Sequence, residues 1–215
     1  RNSGTTEYAP YLKLVDDSDI PIVSVVGNHD IEDGFDKYNS YFGEENFSFE
    51  YGNTDFIAIH SAHGNPSGGI FGPRDQDLIC LDNQLQNATR QNKIVFMHIP
   101  PYLENEFSWK PGMAGFKRQE SRFRGMVERH DVKMVASAHN QCFNRCARNG
   151  VEYVVSGAGG WEVPYWQGNT NEPPRRGLFF HFVLVTVNES GEINGDVVKI
   201  GEGTNPDPKY QFTIN

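Results

Sequence analysis

The sequence predicts an α/β fold, a layered domain in which strands alternate with helices. Short apolar runs of strand length recur along the chain, and Gly, Pro, Asn or Asp bounds each run. Helically spaced apolar residues lie between several of these runs, so strand and helix alternate from residue 56 to residue 137. The composition is that of one globular domain, because 37% of the 215 residues are hydrophobic and 22% are charged.

The predicted strands follow one another with room for helices between them. They cover residues 22–26, 56–60, 93–97, 132–137, 153–156 and 178–187. Residues 75–88 form the first predicted helix because their leucines recur at helical spacing, with Asp75 as the N-cap. Residues 119–130 form the second predicted helix, and Phe123 and Met126 lie on its apolar face.

The remaining elements are turns and strands. From residue 153 onward the sequence predicts no helix, and residues 178–200 form a hairpin that reverses near residues 188–191. A glycine-rich loop covers residues 64–72, but it lacks the Lys-Ser or Lys-Thr pair of a phosphate-binding P-loop. No repeat or linker divides the sequence, so residues 1–215 are expected to form a single domain.

Charge and composition narrow the range of partners. The formal net charge of -9 argues against a nucleic-acid polymer, because Lys and Arg supply most of the affinity for phosphates. A small phosphate ester is still compatible if metal ions supply the positive charge. The longest apolar run, residues 178–187, is about half a membrane span, so no membrane span is expected. Compartment and oligomeric state stay open; a soluble protein, whether extracytoplasmic or secreted, agrees with these features.

Three predicted strands end in residues that bind metals in other proteins. Directly after these strands come Asn28-His29-Asp30, His98 and His139. The carboxyl ends of strands in an α/β sheet form one edge, where ligands bind. Each motif alone has a structural explanation, since the first suits a turn and a single histidine is often buried and hydrogen-bonded. Repetition at three strand ends favours a metal or catalytic site.

These motifs resemble those of the calcineurin-like metallophosphoesterase family, in the family's order. The resemblance covers nearly the whole chain and includes segments similar to those of purple-acid-phosphatase-like members: NFSFEYGNTDFIAIHS, QDLICLDNQLQN, KIVFMHIPPY, AHNQCFNR and YVVSGAGG. It implies a layered α/β/β/α sandwich of the metallophosphoesterase type. It also implies metal-dependent hydrolysis of phosphoric esters, as a phosphomonoesterase or a phosphodiesterase, with a small phosphorylated substrate.

The resemblance implies a role for each residue of the three motifs. Asn28, His98 and His139 would be ligands of one metal ion. His29, steadied by Asp30, would help to stabilise and protonate the leaving oxygen. The resemblance also implies that the intact parent protein would hold two divalent or trivalent ions. Imidazole with amide and carboxylate oxygens suits Mn, Fe, Zn or Co as these ions.

The sequence departs from the family pattern in two places. The pattern begins with Asp-x-His and Gly-Asp-x-x-Asp, and neither precedes Gly27, so we expect a chain that is incomplete at the N-terminus and lacks the first strands of the fold. The family's Gly-His-x-His appears as Ala138-His139-Asn140-Gln141, which puts Gln141 where the last metal-binding His belongs. A glutamine carbonyl is a weaker ligand than imidazole, so we expect this chain to hold one metal ion or none. The alternative is a non-catalytic ligand-binding domain on the same fold.

Two further features have a functional and a structural explanation. His60 and His63 flank a strand end, where they either line the cleft or make structural hydrogen bonds. Aromatic segments at residues 100–109 and 160–166 either stack on a leaving group or cover the core.

Overall fold

The computed structural model of the protein describes residues 5–32, 34–65, 70–101, 115–116, 118–160, 171, 173–203 and 205–214. The helices within these ranges are α1 (Thr5–Asp16), α2 (Phe35–Phe42), α3 (Asp75–Asn87) and α4 (Glu120–Arg129). The strands are β1 (Phe47–Tyr51), β2 (Thr54–Ala58), β3 (Gly64–Asn65), β4 (Ile70–Phe71), β5 (Asn92–Phe96), β6 (Met134–Ser137), β7 (Phe143–Arg148), β8 (Val151–Ser156), β9 (Arg176–Gly177), β10 (His181–Val187), β11 (Ile193–Lys199) and β12 (Phe212–Ile214).

A seven-stranded sheet forms the centre of the fold, in the order β1-β2-β5-β6-β8-β7-β9. Its middle strands β2, β5, β6 and β8 pair in parallel, whereas β1, β7 and β9 pair antiparallel. Strands β10, β11 and β12 form a separate antiparallel sheet. Because parallel neighbours point the same way, the carboxyl ends of β2, β5, β6 and β8 share one edge.

Side chains of the central sheet pack into two cores on its opposite faces. Val95 and Val135 lie in a cluster with the buried leucines of α3 and the apolar face of α4. Their neighbours Ile94 and Met134 point the other way and pack against the three-stranded sheet, as alternation along a strand requires. Helices therefore cover one face and a second sheet covers the other. This arrangement confirms the predicted α/β fold.

Most predicted elements are present, with shifted ends. The strands predicted at residues 56–60, 93–97, 132–137 and 153–156 correspond to β2, β5, β6 and β8, and the predicted hairpin to β10 and β11. Asp75 is the first residue of α3 and not its N-cap, which is Arg74. The Asp77 side chain stabilises this helix start, since its Oδ2 accepts a hydrogen bond from the Arg74 backbone N at 2.7 Å.

The strand predicted at residues 22–26 is wrong for the described residues, where this segment pairs with no strand. Ile22 and Val23 are exposed, and only Val26 is fully buried. Side chains hold the segment instead: Tyr38 Oη donates to the Ser24 carbonyl at 3.0 Å. Apolar β-branched residues favour an extended backbone, but a strand also needs a neighbour to complete its hydrogen bonds.

Several elements were not predicted, among them α1, α2, β1, β7, β12 and a 3-10 turn at Pro208–Tyr210. The predicted loop at residues 64–72 contains the short strands β3 and β4 at its two ends, and its centre lies outside the described residues. The aromatic segments at residues 102–109 and 161–166 also lie outside them. No described helix combines the length and the apolar character needed to cross a bilayer.

Candidate metal centre

The structure brings Asn28, His98 and His139 together, and we call these three residues the Asn28 centre. Asn28 Oδ1 lies 2.8 Å from His98 Nε2 and 3.1 Å from His139 Nδ1. His98 Nε2 and His139 Nδ1 lie 3.2 Å apart. Three polar atoms from distant parts of the sequence therefore converge at one point.

Strand pairing explains why the two histidines meet. β5 and β6 are parallel neighbours in register, with Phe96 opposite Ala136. The ladder continues past the strand ends, because the Ala138 backbone N donates to the His98 carbonyl at 3.0 Å. His98 and His139 therefore leave the sheet at the same edge, the edge predicted for a ligand site.

The turn at Gly27 brings Asn28 to this edge. Asp30 Oδ2 accepts from the Gly27 backbone N at 2.7 Å, and Asp30 Oδ1 accepts from Tyr8 Oη at 3.0 Å. A Cβ atom at residue 27 would lie 3.1 Å from the His98 ring and 3.2 Å from Asp30 Oδ2, so this close approach favours glycine. Asp30 thus fixes the turn that carries Asn28.

A second close contact fixes the backbone around His139. His139 has a φ of 59°, in the left-handed region that side chains other than glycine rarely adopt. The next residue, Asn140, is packed against Gly157, where a Cβ atom would lie 2.0 Å from the Asn140 carbonyl oxygen. The sequence analysis gave Gly157 no role. A glycine shortly after the neighbouring strand of a parallel sheet is the signal for such a contact.

Burial controls the charge of the Asn28 centre. Burial first, and the nearby imidazoles of His139 and His29 after it, lower the pKa of His98 to about 3. His98 is therefore neutral near pH 7, the protonation state in which imidazole binds a metal. Asn28 contributes an uncharged amide oxygen.

The spacing of the three donor atoms fits a shared metal ion. Two ligands at right angles, each about 2.1 Å from an ion, lie about 3 Å apart. The observed separations of 2.8, 3.1 and 3.2 Å match this spacing. Imidazole nitrogens with an amide oxygen suit first-row transition metals.

The structure gives His29 a partner that the sequence analysis missed. His29 Nδ1 lies 2.6 Å from Glu32 Oε1, and the His29 side chain is 65% exposed. The sequence analysis paired His29 with Asp30, whose hydrogen bonds go to Gly27 and Tyr8. A carboxylate three residues after a histidine was the available signal for this contact.

Gln141 lies half-buried in the bend between β6 and β7, two residues after His139. Between them, Asn140 is 1% exposed, and its side-chain nitrogen and oxygen make no hydrogen bond within the described part of the chain. The role of Gln141 as a weak metal ligand remains a prediction.

Comparison with known proteins identifies the family. The sequence profile described as calcineurin-like phosphoesterase matches residues 1–143, which include the whole Asn28 centre. The chain belongs to the calcineurin-like phosphoesterase family. The family resemblance of the sequence motifs is therefore confirmed.

Curated relatives carry the name serine/threonine-protein phosphatase CPPED1. The protein of Pongo abelii is 35% identical over 114 residues, which cover 49% of this chain and 36% of the relative. The protein of Danio rerio is 29% identical over 161 residues, which cover 68% of this chain and 50% of the relative. The chain thus spans between about a third and a half of these relatives' length.

Solved structures share the fold at low sequence identity. A dimetal phosphatase from Danio rerio has a TM-score of 0.65 at 12% identity, with 95% of this chain and 75% of that chain covered. Purple acid phosphatase PPD1 from yellow lupin has a TM-score of 0.59 at 18% identity, with 80% and 33% covered. GAP50, described as the anchor in the inner membrane complex of Plasmodium, has a TM-score of 0.58 at 15% identity, with 79% and 53% covered.

Proposed function

We propose that this chain is part of a metal-dependent hydrolase of phosphoric esters and supplies the ligands of one of two metal ions. The observation that carries the proposal is the convergence of Asn28, His98 and His139 within 3.2 Å of one another. Membership of the calcineurin-like phosphoesterase family and the phosphatase names of the relatives support it. The substrate is a small phosphorylated molecule, a phosphomonoester or a phosphodiester.

The residues of the Asn28 centre would hold a divalent or trivalent ion such as Mn, Fe, Zn or Co. When bound, such an ion supplies positive charge that polarises a phosphoryl oxygen. Close packing at Gly157, and to a lesser degree at Gly27, holds the donor atoms in place before binding. Such preorganisation lowers the conformational-entropy cost of metal binding, because the ligands are already ordered.

His29 would donate a proton to the leaving oxygen. Its contact with Glu32 engages Nδ1, which directs the other ring nitrogen, Nε2, away from that carboxylate. The side chain is mostly exposed, so a substrate has access to it. A positioned imidazole contributes about 10² to 10⁴ to the rate as a general acid.

The alternative is a non-catalytic ligand-binding domain on the same fold. Gln141 supports this alternative, because an amide binds these metals more weakly than the imidazole expected there. The fold is found both in a dimetal phosphatase and in a protein described as an anchor, so it does not decide between the two functions.

Manganese binding followed by an activity assay separates the two functions. Isothermal titration of the purified chain with Mn²⁺ should show binding that His98→Ala weakens by at least about tenfold. His130→Gln is the matched control, since His130 follows α4 and its Nε2 lies 3.1 Å from Asp82 Oδ1 of α3. Unchanged Mn²⁺ binding in His98→Ala would rule out the Asn28 centre.

Hydrolysis of an aryl phosphate is then measured with and without Mn²⁺. We expect Mn²⁺ to raise the rate and His29→Ala to lower kcat about a hundredfold with little change in Mn²⁺ affinity. Mn²⁺ binding without hydrolysis would support the non-catalytic alternative. A normal rate in His29→Ala would exclude His29 as the proton donor.

A further inference from the structure

A second group of metal-ligating side chains lies outside the Asn28 centre. Glu45, His60 and His63, which we call the Glu45 cluster, each offer a ligand atom, and these atoms lie within 4.8 Å of one another. His60 follows the end of β2, and Glu45 lies between α2 and β1. We propose that the Glu45 cluster binds a divalent transition-metal ion, with Zn²⁺ as the best fit.

The two imidazoles of the Glu45 cluster are packed against each other. The ring centroids of His60 and His63 lie 3.6 Å apart, and the ring of Phe35 covers both. The side chains of His60 and His63 are 0% and 9% exposed. The surroundings of the two imidazoles therefore limit solvent access and lower the local dielectric, which tunes a metal site.

The hydrogen bonds within the cluster are incomplete. His60 Nδ1 lies 2.9 Å from Glu45 Oε2, a hydrogen-bond distance that must lengthen to about 3.4 Å when both atoms bind a tetrahedral Zn²⁺. The other ring nitrogen, His60 Nε2, is buried and has no hydrogen-bond partner in the described ranges. A buried polar atom without a partner costs about 1–3 kcal/mol, so an ordered water is expected at Nε2 when Nδ1 and Glu45 hold the ion.

The charges around the cluster favour a cation. Glu45 and Asp77 are two carboxylates, and one guanidinium, that of Arg74, lies 3.5 Å from Glu45 and 3.1 Å from Asp77. Because the carboxylates outnumber the guanidinium, a divalent ion meets one uncompensated negative charge. Asp77 Oδ2 also lies 3.2 Å from His63 Nε2, the position from which a carboxylate orients a metal-binding imidazole.

The donor set indicates which metal fits. Two imidazoles and one carboxylate, without a thiolate, suit Zn²⁺, Co²⁺ or Fe²⁺ better than Mg²⁺ or Ca²⁺. Zn²⁺ takes three such ligands and a water in tetrahedral geometry. The cluster shares no residue with the Asn28 centre, so the two sites can be tested separately.

Zinc binding is measured in a protein whose Asn28 centre is disabled. His98→Ala protein is dialysed against Zn²⁺, and its metal content is determined by mass spectrometry. We expect about one zinc ion per chain, with an affinity that falls at least about tenfold in His98→Ala/Glu45→Gln and in His98→Ala/His63→Gln. His98→Ala/His181→Gln is the matched control, because His181 is also buried and its Nε2 also lacks a hydrogen bond among the described residues.

Zinc K-edge X-ray absorption of the His98→Ala protein gives a second measurement that needs no change in the cluster. Two imidazoles in the zinc shell would support the proposal. A shell of oxygen atoms, a zinc content that the Glu45 and His63 substitutions leave unchanged, or an adventitious ion only at exposed histidines would overturn it. Circular dichroism of each variant checks its folding; if a cluster variant does not fold, the absorption spectrum decides.

Discussion

The Asn28 centre and the Glu45 cluster lie at strand ends of the same sheet but differ in what surrounds them. In both, burial is the main cause of a lowered histidine pKa, which falls to about 3 for His98 and for His60. Both therefore offer neutral imidazole near pH 7. The Asn28 centre adds an uncharged amide, whereas the Glu45 cluster lies within a network of charged side chains.

This difference affects what each region contributes to the fold when no metal is bound. Asn28 Oδ1, His98 Nε2 and His139 Nδ1 form hydrogen bonds with one another only in pairs. One shared cation would bind all three atoms at once. Beside the Glu45 cluster, Asp77 already accepts hydrogen bonds from Arg74 and from Asn46 at 2.9 Å. We therefore expect the cluster's network to stabilise the fold even without metal, and the Asn28 centre to contribute mainly to metal binding.

Gly157→Ala should have the largest effect, and it should act on the Asn28 centre. The new Cβ atom would lie 2.0 Å from the Asn140 carbonyl oxygen, so the backbone that carries His139 must move. We expect a loss of about 3 kcal/mol in unfolding free energy and at least a tenfold loss in Mn²⁺ affinity. Urea unfolding and isothermal titration measure these two effects.

Gly159→Ala is the control for this substitution, because a Cβ atom there meets no atom within 4 Å. The interpretation fails if Gly157→Ala and Gly159→Ala bind Mn²⁺ equally well.

Asp77→Asn should have a smaller effect, and it should act on the Glu45 cluster. Asp77 is fully buried and receives hydrogen bonds from Arg74, so the substitution removes the negative charge beside a guanidinium. Arg74 is partly exposed, which reduces the loss to about 2 kcal/mol of unfolding free energy. The midpoint of urea unfolding measures it, and Mn²⁺ affinity at the Asn28 centre should stay unchanged. A large fall in that affinity would show that the two regions are coupled.

The sequence predicted the Asn28 centre because its signal is local. A buried strand followed at once by a polar residue is visible in one sequence, and the sheet edge then brings His98 and His139 together. The fold class was predictable for the same reason, since periodicity over each element is local. The helix around residues 75–88 and the hairpin at residues 178–200 were found in this way.

The features that the sequence did not predict depend on contacts between distant residues. The strand predicted at residues 22–26 has the right composition, but a single segment does not show whether it has a neighbour to pair with. Gly157 is required because Asn140 packs against it, and no local pattern distinguishes this glycine from one in an ordinary turn. The Glu45 cluster likewise joins segments separated by a β-hairpin, β1 and β2, so its histidines were left with two explanations.

His181→Gln should have the smallest effect. It tests the burial of a histidine that belongs to neither the Asn28 centre nor the Glu45 cluster. Burial lowers the pKa of His181, and its Nδ1 lies 3.0 Å from the backbone carbonyl oxygen of Phe179. The folded state thus binds a proton less tightly than the unfolded chain, whose histidine pKa is about 6.5. Stability from this residue is present above that pH and is lost as the pH falls below it.

We expect His181→Gln to reduce the slope of unfolding free energy against pH between about 7 and 5, by at most about 1.4 kcal/mol per pH unit. Urea unfolding at several pH values measures the slope, with His130→Gln for comparison; an unchanged or steeper slope would contradict the prediction. The acid sensitivity that persists in His181→Gln is then attributable in part to His98 and His60, whose pKa values burial also lowers.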